Sequence, residues 1–350
     1  MNFRDHAKAQ AAACAQLGSP YTARVLALIA DHLRPGHAVA DRLLGWPADR
    51  MEDDAVALRL AGALHYLVLT RQAAMLARFY TRDDIADAQL WRSIDAVLRL
   101  NATDILPVLD HAPQTNEVAR SAVFIAAGHW LSAAFGLPLV LSELGTCAGL
   151  NLIWDRYALQ IGEHRYGPDD AAITLAPEWH GTLPPLATPV IRARAGVDRN
   201  PLDPVADRDR LQSYIWADQV ARLQRQAIAL DLAAEARPPV QQGCAVAWLS
   251  DRLSRPQPQA CHMVYHSLFW QYLTDAQQRE IIDAMARARL QTNEPLAHVA
   301  MEADDSGPGA LVTLTLWPQG TEIALGRADF HGAWVDWQAP DPQAWTGRAR

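Results

Sequence analysis

The stretch from Leu139 to Asn151 constrains this chain more than any other: an apolar run ends in Glu143, passes through Gly145 and Gly149, and leads into a helical pattern. Leu139, Val140 and Leu141 suit a strand buried on both faces, the setting of a parallel strand covered by helices. The two glycines supply backbone torsions and close approach that a Cβ forbids. A helix opening near Ala148 directs its unpaired N–H groups and its positive end at whatever sits above the turn. The segment reads as a nucleotide-binding turn or, with no ligand, as a tight strand-to-helix connection. Glu143 discriminates among ligands, because a carboxylate at the mouth of the turn repels a phosphate and accepts an ammonium group or ribose hydroxyls. That preference favours S-adenosylmethionine over a dinucleotide.

The rest of the composition narrows the class. With 350 residues, half of them hydrophobic, the chain can bury one large core, or one core beside a smaller helical domain. A formal charge of -8 with no sustained basic block leaves no footprint for nucleic acid or an anionic membrane, so a small-molecule partner is expected. Cys14, Cys147, Cys244 and Cys261 lack the paired spacing of a zinc site and the density of a disulfide scaffold, which fits a reducing cytoplasm. No apolar core of secretion-signal length stands at the N-terminus. Lys8 is the only lysine, which argues against a phosphate-binding loop of the Gly-Lys-Ser/Thr kind and against Schiff-base chemistry. Ser121 to Ser142 carries no formal charge, but Gly136 and Pro138 interrupt it, so it reads as a helix followed by a buried strand and not as a membrane span. Nothing in the sequence gives the oligomeric state.

Residues 1–136 show helical periodicity and are expected to form a helical N-terminal part packed on the sheet domain. Ser19-Pro20 is an N-cap signal ahead of an apolar face of Val25, Leu26, Leu28, Ile29 and Leu33, and Asp53 to Thr70 and Asp84 to Leu100 repeat the pattern. From 137 to 350 short apolar strands alternate with helices, the pattern of an α/β sheet. Strands are expected at 139–143, at 189–194 running into Gly196-Val197-Asp198, near 239–243, at 261–266 and at 296–301 ending in Glu302, with a helix from Thr274 to Leu290. Leu311 to Trp317 and Glu322 to Leu325 close the chain around Pro318-Gln319-Gly320, a hairpin signal. A terminal antiparallel hairpin fits a class I methyltransferase-like (Rossmann-like) sheet better than a dinucleotide-binding sheet, which stays parallel to its edge. The Pro- and Gly-rich stretch at about 157–188 reads as an inserted hairpin and loop above the first strand.

Four segments carry a family likeness: Glu143-Leu-Gly-Thr-Cys-Ala-Gly-Leu-Asn-Leu152, Gly196-Val-Asp-Arg-Asn-Pro-Leu-Asp203, Val264-Tyr-His-Ser267 and His331-Gly-Ala-Trp-Val-Asp-Trp337, with Thr115-Asn116-Glu117 fitting the same pattern. Together they resemble an uncharacterised bacterial domain-of-unknown-function family, itself similar to the class I S-adenosylmethionine-dependent methyltransferases. The resemblance implies that Glu143, Gly145 and Gly149 form the turn at the methionine end of the cofactor, and that Asp198 accepts the ribose hydroxyls. Where the family has an acidic residue after the third strand, near the adenine, this chain has Cys244 after Gly243, with Asp251 or a backbone carbonyl as the substitute.

His266 and Ser267 follow the fourth strand, at the carboxyl end where ligands bind in open α/β sheets, and read either as substrate-facing residues or as structural ones. His262 and His266 lie roughly 13 Å apart on a strand, too far to share one ion, and no metal site is expected. Ser267 lacks a Gly-x-Ser-x-Gly elbow, which argues against a hydrolase nucleophile. Asn116 and Glu117 read as ordinary helix capping; the resemblance implies instead that they lie over cofactor or substrate, with Arg120 one turn on. Trp334 and Trp337 read as packing residues and His331 as part of the pocket rim, while Trp179-His180-Gly181 reads as a lid or as a packed surface loop. The expected function is S-adenosylmethionine-dependent methyl transfer to a small molecule, with His266, then Glu117, as the base. The alternative is a non-catalytic protein that retains an adenosyl-ligand pocket or its remnant.

Overall fold

Helical periodicity before residue 115 becomes helices: the computed structural model, which describes residues 1–291, 293–317 and 319–343, places them at Phe3–Gln16, Pro20–His32, Ala38–Leu44, Val56–Leu69, Asp87–Leu100 and Ala102–Leu109. With Val205–Ala227 they make the first of two units, and Leu26, Ile29, Leu33, Leu60, Leu64, Ile94 and Leu98 fill its core. Ser19 stands at the N-cap position before Pro20, but its side chain makes no capping bond; its hydroxyl donates to Asp218 Oδ1 (2.5 Å), and Asp218 Oδ2 accepts the Tyr21 N–H (2.9 Å). A carboxylate remote in sequence thus takes over the helix N-terminus, which favours negative charge.

The second unit holds Asn116–Pro204 and the chain from Ile228 onward. The helix Ser121–Phe135, grouped with the helical part in the sequence reading, clusters here with the sheet. Twelve strands are described: β1 Leu139–Leu144, β2 Ala158–Ile161, β3 His164–Tyr166, β4 Thr174–Leu175, β5 Glu178–Gly181, β6 Ile191–Asp198, β7 Val240–Gln242, β8 Cys261–Ser267, β9 Leu296–Ala303, β10 Ala310–Trp317, β11 Thr321–Ala328 and β12 Trp334–Trp337. Nine form one mostly parallel sheet in the order β5-β12-β11-β10-β9-β8-β1-β6-β7, and β3-β2-β4 form a small second sheet. The segment β7-β6-β1-β8-β9 is parallel throughout and follows the 3-2-1-4-5 order of doubly wound folds, with the direction of winding reversing between β1 and β8. β10, β11 and β12 continue as an antiparallel meander. Pro318, in the expected hairpin turn, lies outside the described residues.

Helices Ala245–Leu253 and Asp275–Arg289 cover one face, burying Leu144, Val197, Val264 and Leu296. Thr274 caps the second of these with a complete capping box. On the other face the helix Ser121–Phe135 packs Phe124 against Tyr265 (4.6 Å between ring centres). The apolar window Val118–Phe135 is 83% buried, with its Trp130 Nε1–H donating to the Pro340 carbonyl (2.7 Å).

Two expectations are corrected here. The insertion does contain the β2–β3 hairpin, but its last strand, β5, is not a loop above β1: it pairs parallel with β12 at the far edge of the sheet, and Trp179 packs on Trp337 (5.8 Å). An unpaired edge strand exposes a row of backbone polar groups, and β5 satisfies that row on β12. The turn after β1 does not open an α-helix near Ala148 either. Asn151–Arg156 is a 3-10 segment broken at Ile153, because the carbonyls a helix would use are taken from outside: Tyr157 Oη donates to Leu150 O (2.7 Å), Tyr265 Oη to Asn151 O (3.2 Å) and Arg194 Nη1 to Leu152 O (3.0 Å).

Candidate active site

The carboxyl ends of β1, β6, β8 and β9 bring the chemistry together. Glu143 lies near the end of β1, 3% exposed, and accepts a short hydrogen bond from Thr146 Oγ1. Burial, with Asp198 adding repulsion, pushes its carboxyl up to about 8. Among the described residues no cationic side chain pairs with it. Gly145 (φ +69°) and Gly149 (φ +75°) adopt torsions that favour glycine. A Cβ on Gly145 would strike the Phe269 ring, and one on Gly149 would stand 2.8 Å from Pro238 Cγ, so both close approaches are to this chain's own side chains.

The donors of this turn are engaged within the fold. Gly145 N–H and Thr146 N–H donate to Val197 O (2.9 and 3.2 Å), and Cys147 N–H donates to Asp198 Oδ2 (2.9 Å). The other Asp198 oxygen accepts Asn200 N–H (2.8 Å). Cys147 itself holds φ +51°, a left-handed conformation for which glycine is the cheaper residue. The expected fan of free N–H groups at a helix N-terminus is therefore replaced by a backbone loop clamped to a carboxylate.

Asn116 and Glu117 brace the same turn from the other side. Asn116 Oδ1 accepts Leu150 N–H (3.1 Å), Asn151 Nδ2 donates to Glu117 O (3.2 Å), and Ser121 Oγ donates to Asn151 Oδ1 (2.7 Å). Glu117 also caps the short turn Val118–Arg120, accepting Ala119 N–H (3.1 Å). Removing one partner from so buried a network leaves the others without a bond. Asn151→Ala is expected to cost about 2–3 kcal/mol, read as a lower urea midpoint with an unchanged slope.

Arg120 Nε donates to Phe330 O (2.9 Å), which brings Arg120 beside His331; the His331 N–H is held by Asp329 Oδ1 (2.8 Å). Gly332 (φ +73°) permits this approach, since a Cβ there would strike Ala119, its Cβ first and then its backbone. Trp337 is buried, in line with a packing role.

His266 is fully buried with both ring nitrogens engaged: Nδ1 meets Glu302 Oε1 (2.6 Å) and Nε2 meets His298 Nε2 (2.9 Å). Its ring stacks on Trp270 (4.5 Å between centres, 5° between planes). The β8–β9 register explains the trio. His266 lies opposite Ala300, whose small side chain leaves His266 between His298 and Glu302, two residues to either side on the same face. Burial, then His266, holds His298 well below the usual histidine range. Glu302 Oε1 also accepts Phe269 N–H (2.9 Å), so the loop that carries Phe269 over Gly145 is tied to the same carboxylate. Ser267 ends β8 half-buried. His262 points elsewhere, to Ser142 Oγ (2.7 Å), and burial depresses it to about 3.

The sequence reading missed His298, Phe269 and Trp270 as site residues, and Glu302 as more than a strand end. Cys244 is exposed at the N-cap of helix Ala245–Leu253, and Asp251 lies near the other end of that helix, ion-paired with Arg255 (2.8 Å).

One sequence family spans this whole arrangement: the profile described as "Uncharacterized protein conserved in bacteria (DUF2332)" matches residues 4–337. The chain belongs to this family. No curated protein matches it. In this DUF2332 member the match covers every residue of the site, from Asn116 to His331.

Proposed function

We propose that this DUF2332 protein binds S-adenosylmethionine at the carboxyl ends of β1 and β6 and catalyses methyl transfer to a small molecule on a class I methyltransferase-like sheet. The observation that carries the reading is Glu143, a buried carboxyl without a cationic partner among the described residues, beside Asp198 at the point where the sheet reverses its winding. Burying such a group is unfavourable unless a cation reaches it. The ammonium of an amino-acid ligand is such a cation, so the residues present fit the group. Bound S-adenosylmethionine would supply an electrophilic methyl on a good leaving group. Glu143 would hold the ammonium, and Asp198 would exchange its backbone donors for ribose hydroxyls. Asn116 and Glu117 would fix the turn, and Arg120, Ser267 and His331 would face the acceptor.

A second reading, a binding protein that holds the ligand without turnover, is favoured by the left-handed Cys147 and by turn donors already taken by Asp198 and Asn116. Calorimetric titration with S-adenosylmethionine and S-adenosylhomocysteine separates these readings from a site that binds neither. Micromolar binding that weakens at least tenfold in Asp198→Ala is the expected result. Absence of binding in the wild type removes both readings.

A further inference from the structure

We infer that Glu302, not His266, is the proton acceptor of the site, and that His266 and His298 form a relay that orients it; the acceptor is accordingly an O–H or N–H compound. This rests on the methyl-transfer reading. His266 cannot reach a substrate, because it is fully buried and both nitrogens are occupied. Glu302 is the only member of the trio with both charge and access. Its side chain is 17% exposed, Oε1 takes two hydrogen bonds, and Oε2 takes none among the described residues. The partly exposed end of the relay, Glu302, lies at the carboxyl edge of the sheet. There Tyr272, itself 66% exposed, is within electrostatic range of both Arg120 and Glu302.

The hydrogen-bond directions follow from the chemistry of the three groups. A carboxylate only accepts, so His266 Nδ1 carries the proton it donates to Oε1. Nε2 of the neutral ring then accepts, and His298 donates through its own Nε2–H. The arrangement fixes one tautomer, and Trp270 fixes the ring plane. During transfer the X–H proton passes to Glu302 Oε2, and the electron pair of that bond stays on X. X bonds to the methyl carbon while the carbon–sulfur pair leaves with sulfur, so the products are methylated X, a neutral thioether and protonated Glu302. His266 and His298 are positioning residues, with no contact to the reacting atoms.

Side-chain nitrogen NMR of the full chain tests the relay without an acceptor. His266 should show the Nδ1–H tautomer. Glu302→Leu should shift the ring toward the Nε2–H tautomer, since the acceptor of the Nδ1 proton is gone, and His298→Phe should leave the Nδ1–H tautomer in place. An Nε2–H tautomer in the wild type, or a tautomer unmoved by Glu302→Leu, overturns the relay. Transfer from S-adenosylmethionine to a panel of phenols and primary amines tests the base. Expected are a loss of at least 100-fold in kcat in Glu302→Gln, loss of the acidic limb of the pH profile, and an unchanged KM for S-adenosylmethionine. Equal turnover in the variant, or no transfer to either class by the wild type, overturns the assignment. Calorimetry on Glu302→Gln distinguishes the two levels: binding retained with the tautomer wrong defeats the relay alone, and no binding even in the wild type defeats the cofactor reading while the tautomer result stands.

Discussion

Glu143→Gln is expected to weaken S-adenosylmethionine binding at least 100-fold and, in the same protein, to raise the melting temperature at alkaline pH. The two effects have one cause. The Glu143 carboxyl ordinarily titrates near 4.5, and in the fold, mainly through burial, near 8. Below about pH 4.5 the folded and unfolded states both hold the proton, and the group is neutral to stability. Between 4.5 and 8 the folded chain keeps a proton that the unfolded chain releases, so stability falls as pH rises; above 8 the loss is complete. Converted directly, such a shift is about 5 kcal/mol, and relaxation of the site brings the expected figure to about 1–3 kcal/mol. Glutamine preserves an acceptor for Thr146 Oγ1 and carries no charge. Calorimetric melting of the variant and wild type should therefore coincide near pH 4.5 and separate progressively toward pH 8. A difference independent of pH would sink the argument. By the same linkage, S-adenosylmethionine binding as proposed should release a proton near pH 7.5, because an ammonium at Glu143 would favour the ionised carboxyl; binding heats in buffers of different ionisation enthalpy measure it.

How far the site could be read from the sequence depends on whether each interaction is local. The carboxyl ends of β1, β6, β8 and β9, and with them Glu143, Asp198, His266 and Glu302, followed from short apolar runs ending in polar residues, because strand burial is written in consecutive side chains. The missing helix after Gly149 did not follow. Its pattern is helical, and what defeats it are Tyr157, Tyr265 and Arg194, the last two contributed by other strands of the sheet. The relay is a similar case with a readable hint. His298 and Glu302 stand four apart on one face of β9, as His262 and His266 do on β8, and only the pairing of His266 with Ala300 shows which of them meet. β5 lay beyond reach, since pairing with β12 joins segments more than 150 residues apart. Asp218 at the N-terminus of the Pro20–His32 helix hides for the same reason.

Acid should unfold this protein through its buried histidines, and the sign is opposite to that of Glu143. Burial depresses His262 to about 3, His129 to about 4, against carbonyls of Pro185 and Ala187 that raise it, and His298 to well below its ordinary value. Each is neutral in the fold and accepts a proton in the unfolded chain near pH 6.5, so their stability is complete above that pH and is lost as pH falls toward the folded values. Each group removes about 1.4 kcal/mol per pH unit below 6.5. By pH 4.5 His262 and His129 together remove about 5 kcal/mol, with His298 acting in the same direction, and Glu143 returns about 3 at most as it moves through its own range. The net loss is a sizeable part of the stability of an ordinary domain. Melting temperature should therefore drop between pH 6.5 and 4.5, and unfolding there should take up one to two protons net, the uptake by the histidines less the proton Glu143 releases. His262→Gln keeps an acceptor for Ser142 Oγ, and His129→Phe keeps the ring edge-on to Tyr166 (5.0 Å between centres). Each variant should flatten the slope by about one proton while lowering stability at pH 7.5. An unchanged slope in both would mean that these rings are already charged or already wet in the folded chain, and the network of Ser142, His262 and Arg252 beneath β1 would then need a different account.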